Sequence, residues 1–127
     1  MRLRVLALIL VLLAVPGALA QDKPLTPEEA AKQVGEKVTV EMTVKSANFA
    51  QGVCFLNSQE DFKEAKNFTV FLGRDALAKF KEAKIDDPAA HFKGKTVRVK
   101  GKVTLYREKP QIAVDGPDQI EVVEKKP

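Results

Sequence analysis

The chain contains one cysteine and one histidine, residue types that can form a nucleophile and its base. Cys54 lies in the apolar run 53–56, which is typical of a small buried side chain rather than a reactive thiol. His91 lies in a connector between Ala90 and Phe92, with no second histidine or cysteine at ligand spacing. Because a zinc site needs three or four ligands, this inventory predicts neither a metal ion nor another cofactor.

Adjacent carboxylates occur at 60–61 (Glu-Asp) and 86–87 (Asp-Asp). Neighbouring residues on a helix or strand point in different directions, so these pairs indicate a solvated loop and a helix stop. A metal-dependent nuclease would need clustered carboxylates beside arginines, but Arg74, Arg98 and Arg107 fall in different predicted elements. We therefore predict that the chain is not an enzyme.

Aromatic and basic side chains favour a binding function. The segment 46–52, with Lys45 and Phe49, is predicted to be a loop, and a turn near 107–110 contains a second aromatic–basic cluster. Rings stack on bases and cations follow the phosphates, at about 1–3 kcal/mol per stacked base. One hypothesis is a ligand surface for single-stranded nucleic acid or another extended polyanion, formed by Lys45, Phe49, Tyr106, Arg107 and Lys109. The alternative is ordinary solvated loops, with Phe49 packed beneath its own loop.

A candidate basic stripe is formed by Arg98, Lys100 and Lys102, which a strand would place on one face about 7 Å apart. Two interpretations stay open: a solvated outer face, or a stripe that faces phosphates or glycans. Acidic residues in the segment 59–66 weaken the attraction of this region for a polyanion.

Residues 1–20 have the pattern of a cleavable signal peptide. Arg2 and Arg4 precede an apolar run over 5–15, and small residues at 18–20 precede Gln21. We expect cleavage near Ala20 and a secreted or periplasmic protein with no membrane span in the mature chain. Because the two arginines are among 21 basic residues set against 17 acidic ones, their removal lowers the net charge from +4 to +2. That balance is weak for a dedicated nucleic-acid binder.

Beyond the signal, the pattern predicts a leader and short helix over 21–34, one β-rich domain over 35–123 and a disordered tail over 124–127. Thr26 and Pro27 begin the helix. The other predicted elements are strands at 37–45, 53–56, 68–72, 96–105, 111–114 and 120–123, and a helix at 74–84. Asn67 begins a glycosylation sequon that is equally explained as a turn residue.

Two segments carry a family resemblance. Residues 94–123, GKTVRVKGKVTLYREKPQIAVDGPDQIEVV, resemble the fourth and fifth strands of many OB-fold domains. Residues 52–72, GVCFLNSQEDFKEAKNFTVFL, resemble strands two and three of bacterial OB-fold domains in the nucleic-acid-binding, anticodon-binding-like group. The resemblance implies a small five-stranded barrel with a helix between strands three and four, and ligands across strands two and three. Small periplasmic OB-fold proteins are a competing assignment.

The function expected from the sequence is therefore a non-catalytic, exported OB-fold binding module. An alternative is an envelope protein-interaction module that uses an apolar outer face of the barrel. One small barrel cannot hold all four large apolar side chains of this region inside, namely Phe55, Leu56, Phe68 and Phe71. Some of them must then lie on its outside, where the helix at 27–34 is one element that could cover them. The ligand and the oligomeric state stay open.

Overall fold

The computed structural model describes residues 23–123, so the predicted signal peptide, its cleavage site and the predicted tail lie outside the described residues. In chain order the elements are α1 (Pro27–Ala31), β1 (Lys37–Thr43), β2 (Ser46–Ala50), β3 (Val53–Asn57), β4 (Thr69–Leu72), α2 (Arg74–Glu82), α3 (Pro88–Phe92), β5 (Thr96–Tyr106), β6 (Lys109–Val114), a 3₁₀ turn (Pro117–Gln119) and β7 (Ile120–Val122). The protein is mainly β, as predicted.

Helix α1 begins where the sequence predicts, because Thr26 and Glu29 form a capping box. The Glu29 amide donates to Thr26 Oγ1 at 3.1 Å, and the Thr26 amide donates to Glu29 Oε1 at 2.9 Å. The helix ends at Ala31, before the predicted position 34. Ala30 is buried and α1 packs beside β1, so this helix does not cover the outer aromatic residues of β3 and β4.

Strands β1 and β5 pair antiparallel and follow the predicted alternation of apolar and polar residues. Val40 lies opposite Val99 inside the core, and Glu41 lies opposite Arg98 outside. Gly101 faces inward as predicted, where a β-carbon would lie 2.6 Å from Ile112 Cγ2. A side chain at this position would therefore collide with the neighbouring strand.

The segment predicted to be a loop at 46–52 is instead strand β2 followed by a two-residue turn. Ser46 to Ala50 pair antiparallel with β3, and Gln51 and Gly52 turn the chain with φ of 56° and 83°. The segment lacks the β-branched residues that mark a strand, so its conformation comes from hydrogen bonds to β3.

Seven strands lie within residues 23–123, where the family resemblance implies a barrel of five. Hydrogen bonds link them in the order β1-β5-β6-β4-β3-β2, β7 pairs with β5, and β4 pairs parallel with β6. Strands β1 and β2 are the two ends of this order, and only Val44 and Lys45 separate them along the chain. The Val44 amide donates to the carbonyl of Lys95 and the Lys45 amide to that of Asn57, each at 2.9 Å. The chain therefore changes its pairing partner at this point.

Helix α2 agrees with the predicted helix at 74–84, and its buried Phe80 meets the Phe92 ring edge-on at 6.0 Å. Phe92 belongs to α3, a helix that the sequence analysis did not predict. Asp87 caps α3 by accepting a hydrogen bond from the Ala90 amide at 3.2 Å, and Pro88 opens it. In residues 23–123, no helix is both long and apolar enough to cross a membrane.

A candidate nucleic-acid interface

The outer faces of β2, β3 and β4 carry aromatic residues next to polar ones. Asn48 lies opposite Phe55, and Phe55 opposite Phe71. The two phenylalanine rings are 5.5 Å apart between centroids, are tilted by 50° and stay partly exposed. Leu56 and Phe68, in contrast, are fully buried. The large apolar residues of this region therefore divide between the core and an outer surface that stays partly exposed.

One end of this surface deepens into a groove of about 490 Å³ beside the β5–β6 hairpin. We call it the aromatic groove. Its lining residues are Asn48, Ala50, Phe55, Asn57, Phe62, Thr69, Tyr106, Arg107, Lys109, Pro110 and Gln111. Among these described residues three are aromatic, two are basic and none carries a carboxylate. This volume lies within the range of small-ligand sites.

Cations and rings are interleaved at the mouth of the groove. The guanidinium of Arg107 lies 5.3 Å from the centroid of the Tyr106 ring, and Lys63 Nζ lies 5.9 Å from that of Phe62. Lys109 Nζ donates to the carbonyl of Lys63 at 3.4 Å, which joins the hairpin to the loop that carries Phe62. Tyr106 is 56% exposed and Phe62 53%, so both rings are open to a stacking partner.

The hairpin that presents Tyr106 and Lys109 turns through two residues in the left-handed region. Arg107 has φ of 51° and Glu108 has φ of 69°. Such a turn matches the twist of the paired strands, but it favours asparagine and glycine at these positions. Arg107 is therefore held in a conformation that costs an L-residue about 1–2 kcal/mol.

A satisfied polar network forms the floor of the groove. Asn57 Oδ1 accepts from Thr69 Oγ1 at 2.9 Å and from Asn67 Nδ2 at 3.4 Å, and Asn67 Nδ2 also donates to Thr69 Oγ1 at 3.0 Å. Asn67 Oδ1 accepts from the Gln59 amide at 3.1 Å. Because Asn67 is only 5% exposed and its amide is bonded, the sequon at this position is inaccessible in the folded chain.

The structure brings together only part of the predicted ligand surface. Tyr106, Arg107 and Lys109 line the aromatic groove. Phe49 lies opposite Cys54, a core residue, so it is on the face of β2 opposite to that of Asn48, although it is 47% exposed. The sequence analysis places Phe49 at the ligand surface because it predicts a loop at 46–52. In strand β2, successive side chains alternate between the two faces, so Phe49 faces away from Asn48 and the groove.

Lys45 also lies away from the aromatic groove. It lines a separate depression between α1 and the 58–68 loop, together with Glu41 and Glu64. In the same depression Lys66 pairs with Glu28 at 3.8 Å. Lys45 is therefore in a mixed-charge region rather than beside the rings.

The candidate basic stripe is interrupted by acidic neighbours. Arg98 Nε donates to Glu41 Oε1 at 2.9 Å, and Arg98 also lies opposite Glu121 of β7. Lys100 and Lys102 are exposed on the same face, opposite Thr39 and Lys37 of β1. An arginine paired with one glutamate and facing another favours a solvated outer face over a phosphate-binding stripe.

The residues considered for catalysis are separate from the groove. Burial, and secondarily the charge of Asp87, raises the pKa of the Cys54 thiol to about 12. The His91 ring contacts the edge of Phe92, with the ring centroids 4.7 Å apart. Within residues 23–123, no three His, Cys, Asp or Glu side chains are grouped as metal ligands would be.

No protein-family model matches the chain, and no curated protein matches it in sequence. Among solved structures, it is similar to asparaginyl-tRNA synthetase from Pyrococcus horikoshii, with 17% identity and a TM-score of 0.55 over 80% of this chain and 23% of that one. A putative aspartyl-tRNA synthetase from Leishmania major Friedlin has 12% identity and a TM-score of 0.54 over 82% of this chain and 21% of that one. OBody AM1L10, bound to hen egg-white lysozyme, has 17% identity and a TM-score of 0.51 over 75% and 86%.

The fold is OB-fold-like. These likenesses concern the fold alone, since all three identities are low. The chain spans less than a quarter of the length of either synthetase. The aromatic groove is lined by residues of β2, β3 and β4 and of the β5–β6 hairpin, with Phe62 from the connector between β3 and β4.

Phe62 is the groove residue that the sequence analysis missed. It is the only aromatic residue in the charged connector 57–66, and this is the one feature of the sequence that points to an exposed ring there. For Phe55, the sequence indicates only that its side chain is hard to accommodate inside one small barrel. Its place in the groove depends on the pairing of β3 with β2 and β4, which the sequence does not display.

Proposed function

We propose that this chain is a non-catalytic OB-fold module that binds single-stranded nucleic acid in the aromatic groove. The observation that carries the proposal is the composition of the groove lining, with three aromatic residues, two cations and no carboxylate. Bases stack on exposed rings while phosphates meet the cations. A polyanion without bases would engage the cations alone and leave Tyr106 and Phe62 unused.

Two proteins of similar fold support this proposal, because they are tRNA synthetases and so act on a nucleic acid. The charge of the chain adds modest support. The hairpin contributes Arg107 and Lys109 but also Glu108, and the nearby loop contains Asp61. We therefore expect binding that depends on stacking more than on charge, with a shallow dependence on salt.

The experiment is a fluorescence-anisotropy titration of residues 21–127 with labelled single-stranded DNA and RNA at low and moderate salt. With Arg107, Lys109 and Lys63 at the groove, the slope of log K against log salt should be about −2, since each phosphate contact on a single strand contributes about −0.7. Tyr106→Ala and Phe62→Ala should each weaken binding about 5- to 150-fold. Absence of binding at low salt overturns the proposal.

Phe49→Ala is the matched control for the aromatic variants. Its ring is 47% exposed, close to the exposure of Tyr106, but it lies on the other face of β2. We expect this variant to bind as wild type does. If Phe49→Ala weakens binding as much as Tyr106→Ala, the ligand does not lie in the aromatic groove.

We also propose that β1 and β2 act as one bent strand that completes a five-stranded barrel, with β7 added to β5. The amides of Val44 and Lys45 support this, because they continue the pairing from the β5 side to the β3 side without a gap. Slow hydrogen exchange at both amides would agree with a continuous strand. Rapid exchange at both would mean that the barrel is open there.

Export is part of the proposal and rests on the sequence of residues 1–20. Expression of the full chain in a bacterial host, followed by fractionation and amino-terminal sequencing, tests it. The expected result is a periplasmic or secreted protein that begins at Gln21. Retention of the full chain in the cytoplasm would contradict it.

A second candidate function is protein binding through the outer apolar face, which the partly exposed Phe55–Phe71 pair favours. OBody AM1L10, of similar fold, is bound to a protein, hen egg-white lysozyme. Sedimentation of the purified chain and binding of a hydrophobic dye test this candidate. A monomer that binds no dye would count against it.

A further inference from the structure

We propose that strand β2 binds a second copy of this chain, by antiparallel pairing of the two β2 strands. The proposal starts from the edges of the sheet, where a strand has backbone N–H and C=O groups without a partner strand on one side. Within residues 23–123, three strands pair with only one other strand, namely β1, β2 and β7. They differ in what covers or protects the free edge.

The edges of β1 and β7 are unsuited to a second copy. Leu25 covers β1, since its amide donates to the carbonyl of Thr39 at 2.8 Å and its carbonyl accepts from the Glu41 amide at 2.9 Å. Strand β7 has only three residues, and antiparallel pairing with its own copy would place Glu121 opposite Glu121 of that copy. Like charges directly opposite each other destabilise a pair of strands.

The edge of β2 has none of these protections. Ser46–Ala50 contains no charged residue and no proline, and it pairs with β3 in one continuous register, so no bulge turns the edge away. Helix α3 packs against β2 and β3, but residues 48–50 stay exposed. Strand β2 is therefore an uncharged edge that is open to a further strand.

The residue order of β2 fits a copy of itself. In an antiparallel pair centred on Asn48, Ser46 lies opposite Ala50 of the second copy, and Ala47 lies opposite Phe49. Small residues meet at both ends, and the Phe49 ring, which is 47% exposed, packs on an alanine. No charge meets a like charge, and a strand without charges offers nothing to a charged partner. Complementarity thus favours a second copy.

The side-chain amide of Asn48 lies at the centre of this pairing. Within residues 23–123 it makes no hydrogen bond, and it lies on the outer face of the sheet, opposite Phe55. Residues directly opposite each other in an antiparallel pair have β-carbons about 5 Å apart. Because a carboxamide has one acceptor and two donors, the two Asn48 side chains at the axis can donate to each other.

The pairing also brings two aromatic grooves together. The two-fold axis of an antiparallel pair of identical strands is perpendicular to the sheet, so the outer faces of both copies lie on the same side. Because Asn48 lines one end of the aromatic groove, the two grooves meet at the axis. Residues of one copy then extend the ligand surface of the other. This consequence rests on the proposed function, whereas the pairing itself does not.

Sedimentation equilibrium of residues 21–127, from about 10 μM to 1 mM, measures the association. A single pair of short strands buries less than the roughly 1,200 Å² of a stable interface, so we expect a dissociation constant on the order of 100 μM. At the highest concentration the average mass should approach that of two chains. Wild type that stays monomeric throughout would overturn the proposal.

Two opposite charges at Asn48 test the position of the axis. Asn48→Lys and Asn48→Asp should each weaken the association about fivefold, because like charges then lie opposite each other. An equimolar mixture of the two variants should associate at least as well as wild type, since the opposed charges then attract. A mixture that associates no better than either variant alone would overturn the proposal.

Val122→Lys is the matched control, because it adds the same charge at an exposed position of β7, and it should associate as wild type does. Equal weakening by Val122→Lys and Asn48→Lys would show that the β2 edge is not the interface. Equal melting temperatures at low concentration show that the variants fold.

Amide hydrogen exchange of wild type separates edge pairing from packing of the outer faces, and it needs no variant. Exchange at the amides of β2 that do not bond to β3 should slow severalfold as the protein concentration rises. Unchanged exchange there would overturn the proposal even if dimers form. None of these measurements uses a nucleic acid, so failure of the proposed function leaves the pairing standing.

Discussion

The guanidinium of Arg107 lies over the ring of Tyr106, with Cζ 5.3 Å from the ring centroid. The contact holds a cation and a stacking surface together at the mouth of the aromatic groove. Arg107 makes this contact from a left-handed backbone conformation, with φ of 51°. The hairpin thus combines an unfavourable backbone conformation with a side chain of the proposed site, and substitution can separate the effect of each on stability and on binding.

Glu108→Gly should stabilise the protein without loss of binding. Glu108 has φ of 69°, and glycine adopts this conformation freely, so we expect a gain of about 1 kcal/mol in the free energy of unfolding. Urea denaturation measures the gain. Oligonucleotide affinity should stay equal or increase, because a carboxylate beside the groove is removed.

Arg107→Gly is the comparison for that variant. It should give a similar gain in stability but weaken oligonucleotide binding severalfold, because the cation over Tyr106 is lost. If Arg107→Gly and Glu108→Gly bind equally well, the contact between Arg107 and Tyr106 contributes nothing to the site.

The Cys54 thiol should make stability depend on pH in the alkaline range. Its folded pKa of about 12 exceeds the ordinary value of 9.0. The contribution of the neutral buried thiol to the free energy of unfolding is therefore complete below pH 9. It is lost as the pH rises from 9 toward 12, because in this range the unfolded thiol ionises and the folded one does not. The loss approaches about 1.4 kcal/mol per pH unit.

Urea denaturation at pH 8 and pH 10.5, compared between wild type and Cys54→Ala, checks this prediction. The alanine variant should be less stable at pH 8 but should lose less stability on going to pH 10.5. A thiol reagent should label the native wild type slowly and the unfolded chain fast. Rapid labelling of the native protein at pH 8 would contradict the burial of Cys54.

Gly101→Ala should destabilise the sheet. The added β-carbon would lie 2.6 Å from Ile112 Cγ2, closer than van der Waals contact allows, and the overpacking should cost about 1–3 kcal/mol. Gly73→Ala is the comparison, since its β-carbon would lie 3.5 Å from the nearest atom, in the Phe71 ring, and it should cost less, through the loss of the glycine N-cap of α2 alone. Thermal melts that show equal losses for both variants would contradict the close approach of β5 and β6.

The sequence predicts strands β1 and β5 but not strand β2 or helix α3. The alternation over 37–45 and 96–105 predicts β1 and β5, and the inward position of Gly101, because each strand has one buried face. The sequence does not predict strand β2, because Ser46–Ala50 has no such alternation and is extended through its pairing with β3. Helix α3 is one short turn, set by the Asp87 cap and packing of Phe92, and that length leaves no periodic pattern.

The sequence predicts only part of the candidate site, because long-range strand pairing brings the other part together. Tyr106, Arg107 and Lys109 are adjacent in sequence, so a turn brings them together whatever the rest of the chain does. Phe62 and Phe55 reach them through pairings between distant segments. The direction of Phe49 depends on whether its segment is a loop or a strand, and that is where the sequence-based interpretation failed.

Asn67→Ala should destabilise the groove floor. Asn67 is buried and bonds to Asn57, Thr69 and the Gln59 amide, so its loss leaves partners unsatisfied, at about 1–3 kcal/mol. Asn48→Ala, at an exposed position, should change stability by less than about 0.5 kcal/mol. Urea denaturation of the pair checks this, and equal effects would contradict the network.

The most direct test of the central claim is a two-dimensional ¹H–¹⁵N NMR titration of the labelled protein with a single-stranded oligonucleotide. We predict that the shifted amides cluster at the aromatic groove, above all at Phe55, Phe62, Arg107 and Gln111, while the amides over 98–102 stay unchanged. Shifts concentrated at 98–102 and β1, or no shifts at a protein concentration that saturates a micromolar site, would contradict the assignment of the groove as a nucleic-acid interface.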